Sequence, residues 1–70
     1  MEELDCLGLR CPIPIIKVAK HIRDKEVGYQ ILLLSDDPAS SPDLAAWARM
    51  TENRVEVKSV NSFQITKLSN

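Results

Sequence analysis

Apolar positions along this chain switch between strand spacing and helix spacing, and the switches divide it into six elements. Leu4-Asp5-Cys6-Leu7 alternates loosely and predicts a short first strand over residues 4–7. Gly8 permits the turn that follows. From about residue 12 to about residue 24 the period is helical. Ile15, Val18, Ala19 and Ile22 then share one face, which is assigned to the core. Lys17, Lys20, His21 and Arg23 lie mostly away from it, and positive charge near a helix C-terminus suits the dipole. Gly28 closes the connection to a second strand over residues 29–34. Its Ile31-Leu32-Leu33-Leu34 run predicts a strand covered on most sides, central or nearly so.

Asp36-Asp37-Pro38-Ala39 forms the next loop. Ser41-Pro42-Asp43 reads as a helix start, with a cap, a first-turn proline and a first-turn acid. The second helix runs to about Thr51, with Leu44, Trp47, Ala48 and Thr51 on one face. Residues 54–60 alternate as a half-buried strand does. Asn61-Ser62 fits a tight hairpin turn, because Asn tolerates positive φ. Residues 63–68 are the last strand. The order is β-α-β-α-β-β. Strands one and two are expected to be parallel through a right-handed crossover, and the last two to form an antiparallel hairpin. The expected fold class is α/β, as an α+β two-layer sandwich: a mixed four-stranded sheet with two helices on one face.

Composition narrows the picture little. Seventy residues make one domain, spanning 1–70, with a thin core. A hydrophobic content of 44% is ordinary for a globular chain. Net charge is −1, so long-range attraction to nucleic acid is not expected. No apolar run reaches transmembrane length, and the acidic start lacks the apolar region of a signal peptide. These features point to the cytoplasm, where thiols stay reduced. Two cysteines without a histidine cluster do not make a zinc site, so no metal is expected.

The candidate chemistry is concentrated in Cys11-Pro12-Ile13-Pro14. Proline is tolerated in the first helical turn, so Pro12 reads as the first helical residue and Cys11 as the cap before it. That places a thiol at the positive end of a helix, where thiolate is favoured. Pro12 and Pro14 also delete two backbone donors, leaving Ile13 and Ile15 as the donors of the opening turn. The expectation is a modestly lowered pKa. The competing reading of Cys11 is a buried, inert thiol, which leaves the two prolines and the cap position unexplained.

Ile13 points by helical phase away from the core face, beside Cys11, and Ile16 lies on the flank. They are either covered by the N-terminal segment or form an apolar docking patch rimmed by Arg10, Lys17 and Lys20. For any one of these cations, a solvated face is the competing reading. Asp36 and Asp37 follow strand two, and Cys11 follows its parallel neighbour, so both loops should emerge at one sheet edge. Carboxylates there would oppose thiolate formation; alternatively they only form the turn into helix two. Cys6 is either a small apolar filler or a resolving thiol that pairs with Cys11 under oxidation. Trp47 is assigned to the core and His21 to the surface.

The stretch Leu4-Asp5-Cys6-Leu7-Gly8-Leu9-Arg10-Cys11-Pro12-Ile13-Pro14 resembles the opening of the TusA family, also called SirA-like proteins. The resemblance continues through Gly28, Asp36-Asp37-Pro38, Asp43-Leu44 and Trp47 to the closing hairpin. Members are small sulfur carriers with a Cys-Pro-x-Pro motif. The resemblance implies that Cys11 accepts sulfane sulfur as a persulfide from a cysteine desulfurase or a rhodanese-like donor. It then hands the sulfur to an acceptor sulfurtransferase, with no cofactor beyond that covalent sulfur. Pathways served in the family include tRNA thiolation, cofactor sulfuration and sulfur metabolism. The resemblance also marks Asp37, in its Asp-Asp-Pro, as a partner contact. The chain departs from many relatives at Leu44-Ala45, where they have Ile-Pro, and from some at Ala48, where they have cysteine. Two other function classes stay open at this point: a thiol redox sensor using Cys6 and Cys11, and a small non-catalytic RNA- or protein-binding module.

Overall fold

The computed structural model describes Glu2 to Leu68. Met1, Ser69 and Asn70, the ends of the 1–70 span, lie outside the described residues. The elements are β1 (Glu2–Asp5), α1 (Ile13–Ile22), β2 (Gln30–Leu34), α2 (Ser40–Thr51), β3 (Arg54–Ser59) and β4 (Ser62–Thr66). They form one four-stranded sheet in the order β1-β2-β4-β3. β1 and β2 are parallel, and β4 is antiparallel to both β2 and β3. The expected α+β sandwich and the central place of β2 are therefore found.

Period-two alternation builds the core. Ile31 and Leu33 of β2 pair with Ile65 and Phe63 of β4, and all four are buried on the face that meets the helices. Val18, Ile22 and Leu44 cover them from above, and Cys6 closes the core just past β1. The other face keeps Leu32 and Leu34 half-buried. Removing these large apolar side chains from water is the main stabilising term for so small a domain.

Several local expectations need correction. β1 begins and ends two residues earlier than expected, so Cys6 and Leu7 lie beyond it. The Cys6 N–H still donates to the Leu34 carbonyl at 2.8 Å, which carries the parallel pairing one residue further. The α1 face toward the sheet is Pro14, Val18 and Ile22, a strict four-residue stack. Ile15 packs against the core as expected but, like Ala19, is only half-buried, where the surface between α1 and α2 is open. Trp47, Ala48 and Thr51 are likewise half-buried, and only Leu44 of that face is fully enclosed. The hairpin turns at Val60-Asn61, one residue earlier than expected, and Asn61 does not adopt positive φ. An irregularity in β3 between Val57 and Ser59 absorbs the shift.

The far end of the sheet is closed by two polar clasps. Lys67 is buried, and its Nζ donates to the carbonyls of Ile22, Arg23 and Lys25 at 2.9, 3.0 and 2.7 Å. These are carbonyls at and just past the end of α1, which lack helical partners. A cation there also suits the dipole. His21, assigned to the surface, is partly covered instead. Its ring reaches Tyr29 and Glu2, and the Tyr29 hydroxyl bonds the Glu2 carboxylate, which pushes the phenol up to about 12. Among the described residues, no helix is long and apolar enough to cross a membrane.

Lys67→Met keeps the stem but removes three bonds from a charged donor. It is expected to cost about 2 kcal/mol. The check is the midpoint of urea unfolding, which should fall while the spectrum of the folded state is unchanged.

Candidate functional site

The site is built where two loops leave the same sheet edge. The loop after β1 turns at Gly8, which has φ +80°, and the loop after β2 carries Asp36 and Asp37. The two are tied by side chain to backbone. The Gly8 N–H donates to Asp36 Oδ1 at 3.0 Å, and the Cys11 N–H donates to Asp37 Oδ2 at 2.7 Å. Asp37 Oδ1 also accepts the Ala39 N–H at 3.0 Å, at the entry to α2. One carboxylate thus joins the cysteine loop to the start of the second helix.

The expectation that Pro12 opens the helix and Cys11 caps it is not met. Pro12 occupies the cap position, with φ −93° and ψ 15°, and helical hydrogen bonding begins at Ile13. The Cys11–Pro12 peptide bond is cis. With Pro12 at the cap, Cys11 stands one residue outside the helix. The Ile13 N–H is used by the Arg10 carbonyl at 2.9 Å, so it is not free for the thiol. The α2 start is also displaced: helix begins at Ser40 rather than after a Ser41 cap. That single residue matters, because it turns the Ser40 side chain inward.

The Cys11 thiol is half-exposed. Its Sγ lies 3.7 Å from the Ser40 hydroxyl, and Ser40 Oγ lies 2.6 Å from Ser35 Oγ. Both serines are almost completely buried. Partial burial pushes the Cys11 thiol up from its ordinary value. The Asp43 carboxylate and the Asp37 charge push it the same way, while the Ser40 hydrogen bond opposes them. The expected lowered pKa is therefore overturned. Partial burial, joined by two nearby carboxylates, outweighs a helix end that does not reach the sulfur. Asp37 is shifted oppositely: the N–H groups of Cys11 and Ala39 hold its carboxyl below the usual range. Its link contributes stability above the ordinary carboxylate pKa and loses it as pH falls through the lowered value.

A model described as "Sulfurtransferase TusA" matches residues 2–67. The chain belongs to the TusA family. Its fold is also similar to the crystal structure of a SirA-like protein from Desulfitobacterium hafniense. That match has a TM-score of 0.80 at 27% identity and covers 99% of this chain and 100% of that one.

Within this TusA-family domain the expected site residues fall into three groups. Asp37 is brought into direct contact with the Cys11 backbone. Ile13 and Ile16 are 42% and 44% exposed on the first turns of α1, and Leu7, on the turn before, is equally open. Arg10 and Lys17 are exposed on the same loop and helix. Cys6 is withdrawn: it is fully buried in the core, and that burial raises its pKa. Pro12 lines a shallow groove of about 270 Å³ between the helices with Ile15, Asp43 and Trp47. Pro14, in contrast, is a core residue. Among the described residues, no group of three His, Cys, Asp or Glu side chains is placed to hold a metal ion.

Ser35, Ser40 and Asp43 were missed as site residues. The signal was the Ser40-Ser41-Pro42-Asp43 run itself. Either serine fits a cap by type, and only the one-residue phase decides which faces the thiol.

Asp43→Asn removes a negative charge that raises the thiol. The pH midpoint of Cys11 alkylation by iodoacetamide is expected to fall, with faster alkylation at neutral pH than in wild type. An unchanged or higher midpoint would remove Asp43 from the electrostatic account.

Proposed function

We propose that this TusA-family chain is a sulfur carrier that holds sulfane sulfur as a persulfide on Cys11. A single observation carries the reading: the half-exposed thiol stands at the sheet edge beside uncovered apolar side chains, whereas the other thiol is enclosed. Ile13 and Ile16, with Arg10, Lys17 and Asp37, supply the surface on which donor and acceptor proteins dock. The donor is a cysteine desulfurase or rhodanese-like protein, and the acceptor is another sulfurtransferase. The relay operates in the cytoplasm.

Loading is a thiol exchange. The Cys11 thiolate attacks the outer sulfur of the donor persulfide. The donor S–S bond breaks, and its electron pair stays on the donor sulfur, which takes up the proton that Cys11 has lost. Sulfur moves without net oxidation. The raised thiol pKa makes this slow for a stray donor, because little thiolate is present at neutral pH. A partner that brings basic groups against Asp37 and Asp43 shifts the thiol toward its reactive form. Restraint in solution and activation on docking suit a relay. The enclosure of Cys6 in the core argues against a sensor that needs both thiols open to an oxidant.

Intact-mass measurement after incubation with a cysteine desulfurase and cysteine tests the reading. The expected result is a reducible gain of one sulfur atom in wild type and in Cys6→Ser, and none in Cys11→Ser. An equal gain in Cys11→Ser, or none in wild type, would sink it.

A further inference from the structure

Two buried hydroxyls lie in series beneath the thiol. Ser35 is 1% exposed and Ser40 is 0% exposed. Ser35 Oγ lies 2.6 Å from Ser40 Oγ, and Ser40 Oγ lies 3.7 Å from Cys11 Sγ, within hydrogen-bond range for sulfur. The backbone fixes both. The Ser40 N–H donates to the Asp37 carbonyl at 2.9 Å, and the Ser35 N–H donates to the Asn61 carbonyl at 3.0 Å, in the turn just before β4. Neither hydroxyl is needed to start α2, where no side chain caps the helix.

We propose that Ser40, oriented by Ser35, is a catalytic hydrogen-bond donor to Cys11 Sγ that stabilises this sulfur as the leaving group when the carrier discharges. The proposal rests on the carrier reading above. In discharge, an acceptor nucleophile attacks the outer sulfur of the Cys11 persulfide. The S–S bond breaks, its electron pair remains on Sγ, and the outer sulfur leaves bonded to the nucleophile. Negative charge therefore develops on Sγ, in a place where Asp37 and Asp43 disfavour it. Departure is faster when that charge is stabilised.

The Ser40 hydroxyl is the donor already in place, and a hydrogen bond donated by Ser35 strengthens it. The hydroxyl hydrogens rotate freely. In the resting thiol the S–H has the Ser40 oxygen and the Asp43 carboxylate as acceptors. The two serines thus serve both charge states without moving a heavy atom. Few backbone N–H groups of the opening turn compete for this role: two are deleted by proline, that of Ile13 is held by the Arg10 carbonyl, and that of Ile16 by the Pro12 carbonyl.

The test uses full-length wild type, Ser40→Ala, Ser40→Thr and Ser35→Ala. Each is loaded with desulfurase and cysteine, with loading measured by intact mass, and then discharged with cyanide. Cyanide takes the outer sulfur as thiocyanate, which is followed by its ferric complex. Ser40→Ala is expected to slow thiocyanate release about tenfold, the loss of one hydrogen bond to a developing charge. Ser40→Thr should restore release, and Ser35→Ala should fall between. The midpoint of Cys11 alkylation should rise in Ser40→Ala, a readout that a purely structural serine would not move. Wild-type release rates in fully loaded Ser40→Ala would overturn the role of Ser40 and leave the carrier reading intact. Absence of loading in wild type would overturn both. If Ser40→Ala does not fold, the folded Ser35→Ala decides, and wild-type release in that variant overturns the proposal.

Discussion

Parallel pairing of β1 with β2 is the constraint from which the site follows. Asp5 stands opposite Leu34, and the Cys6 N–H reaches the Leu34 carbonyl, so both chains leave the sheet at the same place and in the same direction. The loops that follow have no alternative but to meet. Asp36 and Asp37 accept the N–H groups of Gly8 and Cys11, and the meeting becomes a fixed junction. α1 and α2 then start from that junction, side by side. The thiol is caught between two helix beginnings, with a carboxylate on one side and a buried hydroxyl pair beneath.

Much of this was legible in the sequence because it rests on periodicity and punctuation. The six elements, the parallel crossover and the hairpin follow from alternation in β2 and β4, from helical spacing in α1 and α2, and from Gly8 and Gly28. The convergence of Cys11 with Asp36 and Asp37 was legible too, since it needs only the strand direction. Phase was not. Whether a helix starts at Ser40 or Ser41, or at Pro12 or Ile13, turns on hydrogen bonds that both neighbours can make. A shift of one residue there decides which side chain faces the sulfur. The sign of the thiol's pKa shift was lost for the same reason. The helix dipole falls off within a turn, and Cys11 stands just outside α1, where partial burial, with Asp43 and Asp37 adding to it, raises the thiol.

The two ends of the sheet divide the labour. At the far end Lys67 gathers the last carbonyls of α1, and Tyr29, Glu2 and His21 close the surface. At the near end the polar groups converge on one sulfur. Exposed Ile13 and Ile16 are not needed by the core, which is completed by Pro14, Val18 and Ile22 on the opposite side of the same helix.

The central claim is that this junction holds the Cys11 sulfur as a restrained thiol, not as a standing thiolate. It is tested most directly by following the Cβ carbon of isotopically labelled Cys11 through a pH titration by NMR. A single transition is expected, with its midpoint above the ordinary thiol value. A midpoint at or below that value would show that the helix ends outweigh burial and the two carboxylates, and would contradict the claim of a restrained thiol.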